Sequence, residues 1–271
     1  MTAILPPELE REIFELCALS RTGIIPRLML VARRVKDWVE PLLYRVIALN
    51  APFPGFPLFT DDIMSSLINR KSPTFFHDTV RHLITFRRSK VEDTILTLCT
   101  GVEDLYLCLN FRADISFLKI IQSLPVTRLY ALSYSMTPSA IRIFSRLTHL
   151  HLVAYHPDDV DPTCAALAAL PHLTHLALDS EKLALASHTI FELSPSLRVL
   201  VLFKHPETRM ADAIAPLARE DVRFVVIPQR VRIREWFAAI QHGESYWSDA
   251  ESFVAKRRSG EINRLEYVYT V

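Results

Sequence analysis

The sequence predicts an α/β fold in which short parallel strands alternate with helical returns, and three observations predict it. A six-residue motif, apolar-x-x-Leu-x-apolar, returns seven times, and the fourth residues of successive copies lie 21 to 26 positions apart. The motif alternates apolar and polar residues, as a half-buried strand does. The segments between copies are long enough for a helix, and several begin with Pro or Asp, as helix starts do.

Four copies match the motif fully and three match it loosely. The full copies are Val102–Leu107, Leu147–Leu152, Leu173–Leu178 and Leu197–Leu202, and the loose copies begin at Val80, Val126 and Val222. A repeat in the twenties with one short strand is typical of leucine-rich-repeat solenoids. No unit can bury its apolar side alone, so the units stack and their strands form one sheet. We therefore expect a right-handed, leucine-rich-repeat-like solenoid of about seven repeats over residues 80–229.

Composition and charge exclude several classes of partner. Half of the 271 residues are hydrophobic, mean hydropathy is +0.18 and the formal net charge is +1. Because the charges balance, we expect no nucleic-acid partner and no membrane partner. The basic run Lys256–Arg258 is interpreted as a solvated helix face. Four scattered cysteines are typical of a reducing compartment, so we expect a cytoplasmic or nuclear protein.

A small helical head is predicted over residues 1–49. Two prolines begin the first helix, because proline fixes φ where the amide needs no partner. Leu9, Ile13 and Leu16 then fall on one face of that helix. After a turn at residues 20–23, we predict two more helices and a first strand, at residues 26–35, 37–44 and 45–49.

Residues 5–45 resemble an F-box. The resemblance is carried by the Leu5-Pro6 start, Leu9, Ile13-Phe14, the stretch Leu28-x-x-Val31-x-Arg33-Arg34, Trp38 and Leu42-Leu43-Tyr44. The family's F-box is a compact three-helix unit that docks on the Skp-type adaptor of a cullin-RING ubiquitin ligase. The resemblance implies an adaptor-docking face made of Leu5, Pro6, Leu9, Ile13, Leu28 and Val31. Val35 departs from the aromatic residue of many members, so a degenerate box that only caps the repeats is the alternative.

The segments that flank the repeats have distinct compositions. Residues 50–79 carry three early prolines that exclude regular structure, and we predict a Pro-rich linker followed by a first helical return capped by Thr60. After the last copy, residues 230–271 predict a helical cap on the final repeat, with Trp236 and Trp247 as its buried anchors. The late Trp-x-x-Ala-Glu-x-x-Val pattern resembles F-box-like proteins abundant in mushroom-forming fungi.

The odd positions of the motif predict a polar column on one face of the sheet. Their side chains point away from the buried leucines, and neighbouring strands lie about 4.8 Å apart. The column contains Asp104, Tyr106, Arg128, Tyr130, His149, His151, His175 and Asp179. Because Tyr and Arg are favoured in recognition surfaces, we expect a protein substrate to bind there.

Two other interpretations of this column stay open. Its polar groups could simply satisfy one another. Alternatively, His149 or His175 could act as a general acid or base in a pocket with Arg128, oriented by Asp104 or Asp179. A zinc site is disfavoured, because His149 and His151 on one strand lie roughly 6–7 Å apart and no cysteine is close.

Together, the residues and the resemblance imply a substrate-recognition subunit of a cullin-RING ubiquitin ligase. Its partners would be the Skp-type adaptor, the cullin and a protein substrate. We expect no cofactor, no metal and no catalytic residue of its own. The alternative function is a stand-alone enzyme or small-molecule binder that reuses the same scaffold, with a pocket in the polar column.

Overall fold

The chain is an α/β protein whose eight strands form one parallel sheet in chain order. The computed structural model describes residues 5–86, 89–109, 115–133, 138–153, 160–204, 211–228, 232–243 and 245–269. The strands are β1 Val46–Ala48, β2 His82–Thr85, β3 Asp104–Leu109, β4 Arg128–Ser133, β5 His149–Val153, β6 His175–Leu178, β7 Val199–Lys204 and β8 Phe224–Pro228. Seven of them overlap the seven motif copies, and β1 lies in the strand predicted at residues 45–49.

Helices precede, separate and follow these strands. They are α1 Pro7–Ser20, α2 Ile25–Leu28, α3 Arg33–Leu43, α4 Asp61–Arg70, α5 Pro73–Thr79, α6 Lys90–Leu98, α7 Ile115–Gln122, α8 Pro138–Ile141, α9 Val160–Ala168, α10 Glu181–Leu185, α11 Ser187–Leu193, α12 Ala211–Glu220, α13 Arg232–His242 and α14 Tyr246–Ser259. The predicted helix over 26–35 was too long. Ala32 is extended, with φ −160° and ψ 158°, so α2 ends before it and α3 begins after it.

The chain divides into two compact units, residues 1–105 with 123–125 and residues 106–122 with 126–271. In the first unit, α1, α2 and α3 pack on one another. Their shared core is small and consists of Ala18, Ile25, Val35 and Val39, with Phe14, Leu28, Met29, Trp38 and Leu42 partly buried around it. The head is therefore held together by a small core, and many of its large apolar side chains are exposed.

Local side chains define the helix starts in the rest of the first unit. Thr60 accepts a hydrogen bond from the Ile63 amide at the start of α4, as the sequence predicts. Ser72 caps α5 in the same way, and Ser89 forms a reciprocal capping box with Glu92 at α6.

The second unit contains the part of the sheet in which the repeat is most regular. Across β4 to β7, Leu129, Leu150, Leu176 and Leu200 are paired partners on neighbouring strands, and each is at most 1% exposed. Strands of parallel sheets are commonly buried on both faces, and β6 and β7 follow that rule. These leucines are the fourth residues of their motif copies, so the motif aligns the strands.

The register changes by one residue at β8. When the motif copies that begin at Leu197 and Val222 are superposed, Phe224 falls beside Val199, whereas the structure pairs Phe224 with Leu200. Phe224, Val225 and Val226 are all buried, so β8 has no polar face. Alternation between a polar and an apolar face normally specifies register, and an apolar strand lacks that signal.

The C-terminal helices pack on the second unit's sheet. Helix α14 lies against β7 and β8, and Trp236 of α13 and Trp247 of α14, the two predicted anchors, are 1% and 5% exposed. The segment after α14 pairs with β8. The Val226 amide donates to the Tyr267 carbonyl, and the Tyr269 amide donates to the Val226 carbonyl. Val226 is thereby paired on the side of β8 that faces away from β7, which satisfies its two backbone groups there.

Arg257 corrects the interpretation of the basic run in α14. The run was expected to form a solvated face, yet Arg257 is 1% exposed. Its guanidinium donates to the carbonyl oxygens of Ala218, Val222, Phe224 and Arg264 at 2.7 to 3.1 Å. The charge is tolerated because backbone oxygens surround it.

Candidate functional site

The sheet register brings the predicted polar column together on β4, β5 and β6. Arg128 pairs with His149, and His149 pairs with His175. Two residues further along, Tyr130 pairs with His151. The spacing of the motif copies alone was sufficient to predict these neighbours.

His149 and His175 form a stacked pair. Their ring centroids lie 4.2 Å apart and their planes differ by 3°. The Nδ1 atom of each ring is hydrogen-bonded to the preceding threonine hydroxyl, Thr148 at 2.9 Å and Thr174 at 2.8 Å. Both rings are therefore held in the same orientation by the same threonine–histidine hydrogen bond, which is repeated on successive strands.

Helix α14 covers this pair. The indole of Trp247 meets both imidazoles edge-on, at 5.3 Å from His149 and 5.6 Å from His175. Glu251, one helical turn later, lies 2.9 Å from the Nε2 atom of His175. Glu251 is the carboxylate partner that sequence reasoning missed. The signal was present, because Trp247 and Glu251 are four residues apart and so share one face of α14.

A second cluster of polar side chains is buried under α14. The Tyr246 hydroxyl is 3.0 Å from Nδ1 of His151, and the Trp247 indole N–H donates to the Tyr130 hydroxyl at 3.1 Å. The other imidazole nitrogen of His151 lies 3.5 Å from Asp179. These buried groups face one another, as buried polar groups must to offset their lost hydration.

The remaining two column residues, Asp104 and Tyr106, both belong to β3. Tyr106 stacks on Tyr130 at 5.6 Å and meets Trp236 of α13 at 6.0 Å. Asp104 belongs to the first compact unit, where its carboxylate lies 3.5 Å from His82. In the catalytic interpretation Asp104 or Asp179 would orient His149 or His175, whereas the carboxylates observed beside His151 and His175 are Asp179 and Glu251.

Burial favours the neutral form of both histidines by lowering their pKa values. It lowers the pKa of His149 to about 3, with further lowering by His175 and by the Arg128 charge. Burial also lowers the pKa of His175, although the Glu251 carboxylate opposes this shift. Burial raises the pKa of Tyr246 well above its ordinary value, helped by the neighbouring Tyr130, so its hydroxyl stays protonated.

The second candidate surface is the apolar face of the head. Leu5, Pro6, Leu9, Ile13 and Val31, five of the six predicted docking residues, are exposed. The sixth, Leu28, packs partly into the core of the head. Leu16 and Leu30, which the predicted docking set does not include, are also exposed, at 59% and 86%.

The described residues contain neither a cluster of metal ligands nor a membrane-spanning helix. Within them, no group of three His, Cys, Asp or Glu side chains could hold a metal ion. No helix in the described ranges is long and apolar enough to cross a membrane.

Comparison with known proteins adds little to this picture. Neither a protein-family model nor a curated protein matches the chain. Among solved structures, the chain is similar to an internalin (inlF) from Listeria monocytogenes str. 4b F2365, with 17% identity and a TM-score of 0.30. That match covers 54% of this chain and 39% of the internalin chain, so the chain spans well under half of that protein.

Proposed function

We propose that this chain is an F-box-type substrate-recognition subunit of a cullin-RING ubiquitin ligase. In this proposal α1, α2 and α3 form the F-box-like head and dock on a Skp-type adaptor. The strands and helices that follow form a right-handed, leucine-rich-repeat-like solenoid that binds a protein substrate. The chain would act in the cytoplasm or nucleus and would carry no catalytic activity of its own.

The exposed apolar face of the head is the observation that supports this proposal most directly. Leu9 and Ile13 on α1 are about half exposed, and Leu30 and Val31 after α2 are 86% and 61% exposed. Large apolar side chains clustered on a surface are typical of interaction sites. The head keeps its own core of Ala18, Ile25, Val35 and Val39 elsewhere, so this face is not needed to hold the three helices together.

Co-purification with a Skp-type adaptor tests the proposal. The wild-type chain and the Leu9→Asp/Ile13→Asp variant would each be co-expressed with the adaptor and run on size exclusion. We expect a stable complex with the wild type and none with the variant, because two carboxylates would have to be desolvated in the interface.

The matched control is Leu193→Asp/Leu265→Asp, which makes the same change at two leucines outside the head that are 47% and 58% exposed. It should retain the adaptor. The docking proposal is overturned if the wild type forms no complex, or if the Leu9→Asp/Ile13→Asp variant binds as well as the wild type. Circular dichroism of both variants separates lost binding from lost folding.

The placement of the substrate site is the second part of the proposal. The column from Arg128 to Asp179 would contact the substrate, together with Asp104 and Tyr106. Tyr130, His151 and His175 are at most 4% exposed under α14, so substrate contact there requires that α14 moves. The alternative enzyme or small-molecule pocket has the same requirement, because Trp247 already packs against both rings of the histidine pair.

A further inference from the structure

We propose that α14 is an acid-sensitive cover over His149 and His175, closed while both imidazoles are neutral and released when they are protonated. The geometry carries this inference, since two stacked rings on neighbouring strands share one indole as their lid. The proposal does not depend on adaptor docking. Only its consequence, access of a substrate to the polar column, rests on the proposed function.

Protonation of the stacked pair would place two positive charges about 4 Å apart. Unit charges at that distance repel strongly wherever water is excluded. The closed state offers little compensation, because each Nδ1 is already hydrogen-bonded to a threonine hydroxyl. Among the described residues, the carboxylate hydrogen-bonded to the pair is Glu251, and it contacts His175 alone of the two rings. With α14 released, both rings would be hydrated and could ionise as they do in water.

The charges around the pair also disfavour its protonation while α14 is closed. Arg128 beside His149 and Arg198 before β7 both disfavour an imidazolium, and burial adds to their effect by lowering the pKa of both rings. Glu251 acts in the opposite direction on His175. The charged groups that act on the pair are Arg128 of β4, Arg198 before β7 and Glu251 of α14. The neighbouring titratable groups, which contact one another or Trp247, are Tyr130 of β4, His151 of β5, Asp179 after β6 and Tyr246 of α14.

Proton linkage gives the size of the effect. Each histidine that is neutral when α14 is closed and ionises when it is open multiplies the open population by up to about tenfold per pH unit, below a pH of about 6.5. The burial of Trp247, Tyr246, Phe253 and Val254 holds the helix closed near neutral pH. Local opening of one element without global unfolding is the expected form of such a transition.

Amide hydrogen exchange near pH 7 and near pH 5, normalised to the intrinsic exchange rate at each pH, tests the cover directly. No adaptor or substrate is present. We expect the protection of α14 amides to fall by about tenfold or more at the lower pH. Helix α9, which packs against α8 and α11, is the internal reference and should change by less than about threefold.

Three variants make the result specific. His149→Gln/His175→Gln removes both titrating groups and should abolish the fall in α14 protection at the lower pH. His188→Gln is the matched control, because His188 is exposed on α11 opposite Glu192, and it should keep the fall. Glu251→Gln should enlarge the fall, since it removes the carboxylate that favours protonated His175 in the closed state.

The proposal is overturned if α14 of the wild type is equally protected at both pH values, or if the fall persists in the double glutamine variant. A smaller fall in Glu251→Gln also contradicts it. The Glu251 side chain is 55% accessible, so we expect Glu251→Gln to fold. This variant therefore tests the cover even if the double glutamine variant does not fold. Adaptor co-purification near pH 7 remains a separate test, so failure of the cover and failure of the docking proposal can be told apart.

Discussion

The imidazole rings of His149 and His175 lie face to face, 4.2 Å apart and within 3° of parallel. The rings occupy the same position in two successive motif copies, and their strands pair directly. Two neutral imidazoles stack favourably in this way, whereas two imidazolium ions would repel each other. The arrangement therefore links the protonation of these two side chains to the stability of whatever packs over them.

Global stability should decrease on the acid side of neutrality. The pKa of His149 is about 3 in the folded chain and that of His175 is also lowered, against about 6.5 for histidine in an unfolded chain. The unfolded chain therefore binds more protons between these values. Stability is fully present above about pH 7 and is lost as the pH falls from about 6.5 towards 3.

For His149 the slope is about 1 kcal/mol per pH unit. Urea unfolding near pH 7 and near pH 5 measures it. His149→Gln should have a smaller pH dependence than the wild type. Equal free energies of unfolding at the two pH values, or an unchanged slope in the variant, would contradict the assignment.

Arg257→Met should destabilise the chain by about 2–4 kcal/mol. The change removes donors from four backbone oxygens, of which the Ala218 and Phe224 carbonyls are buried with it. Arg258→Met makes the same chemical change at the next, exposed position and should stay within about 0.5 kcal/mol of the wild type. Urea unfolding compares the two variants. Similar losses in both would show that the Arg257 hydrogen bonds contribute nothing specific.

Trp247→Phe should cost about 1–3 kcal/mol, because it removes apolar contact area and leaves the Tyr130 hydroxyl without the indole donor. A double-mutant cycle with Tyr130→Phe isolates the hydrogen bond, for which we expect a coupling of about 1 kcal/mol. Thermal or urea unfolding of the four chains provides the cycle. Additive losses would mean that the indole N–H and the hydroxyl do not interact in solution.

Leu30→Ser and Val31→Ser should leave stability within about 0.5 kcal/mol of the wild type, since both side chains are already exposed. Adaptor binding should nevertheless weaken. Val35→Ser is the contrasting variant, because Val35 is fully buried in the core of the head and its replacement should lower stability by about 1–3 kcal/mol. A loss of stability in Leu30→Ser comparable to that in Val35→Ser would show that the outer face holds the head together.

The strand positions and most of their register followed from the sequence, because the signal is local. A leucine at a regular spacing selects the buried side of each strand, and the alternation then assigns His149, His175, Tyr130 and His151 to the opposite side. Helix starts with a serine, threonine or proline were predictable for the same reason. The sequence also predicts that Asp114 and Pro206 each begin a helix, and both residues lie outside the described ranges.

Tertiary structure alone decided what meets the polar column. The sequence shows that α14 is a helix with aromatic residues, yet the contacts of Trp247 with His149 and of Glu251 with His175 join residues far apart in the chain. The burial of Arg257 and the shifted register of β8 belong to the same class. Periodicity reports which side of an element is apolar. Which distant element covers that side depends on packing between segments, and no local pattern encodes it.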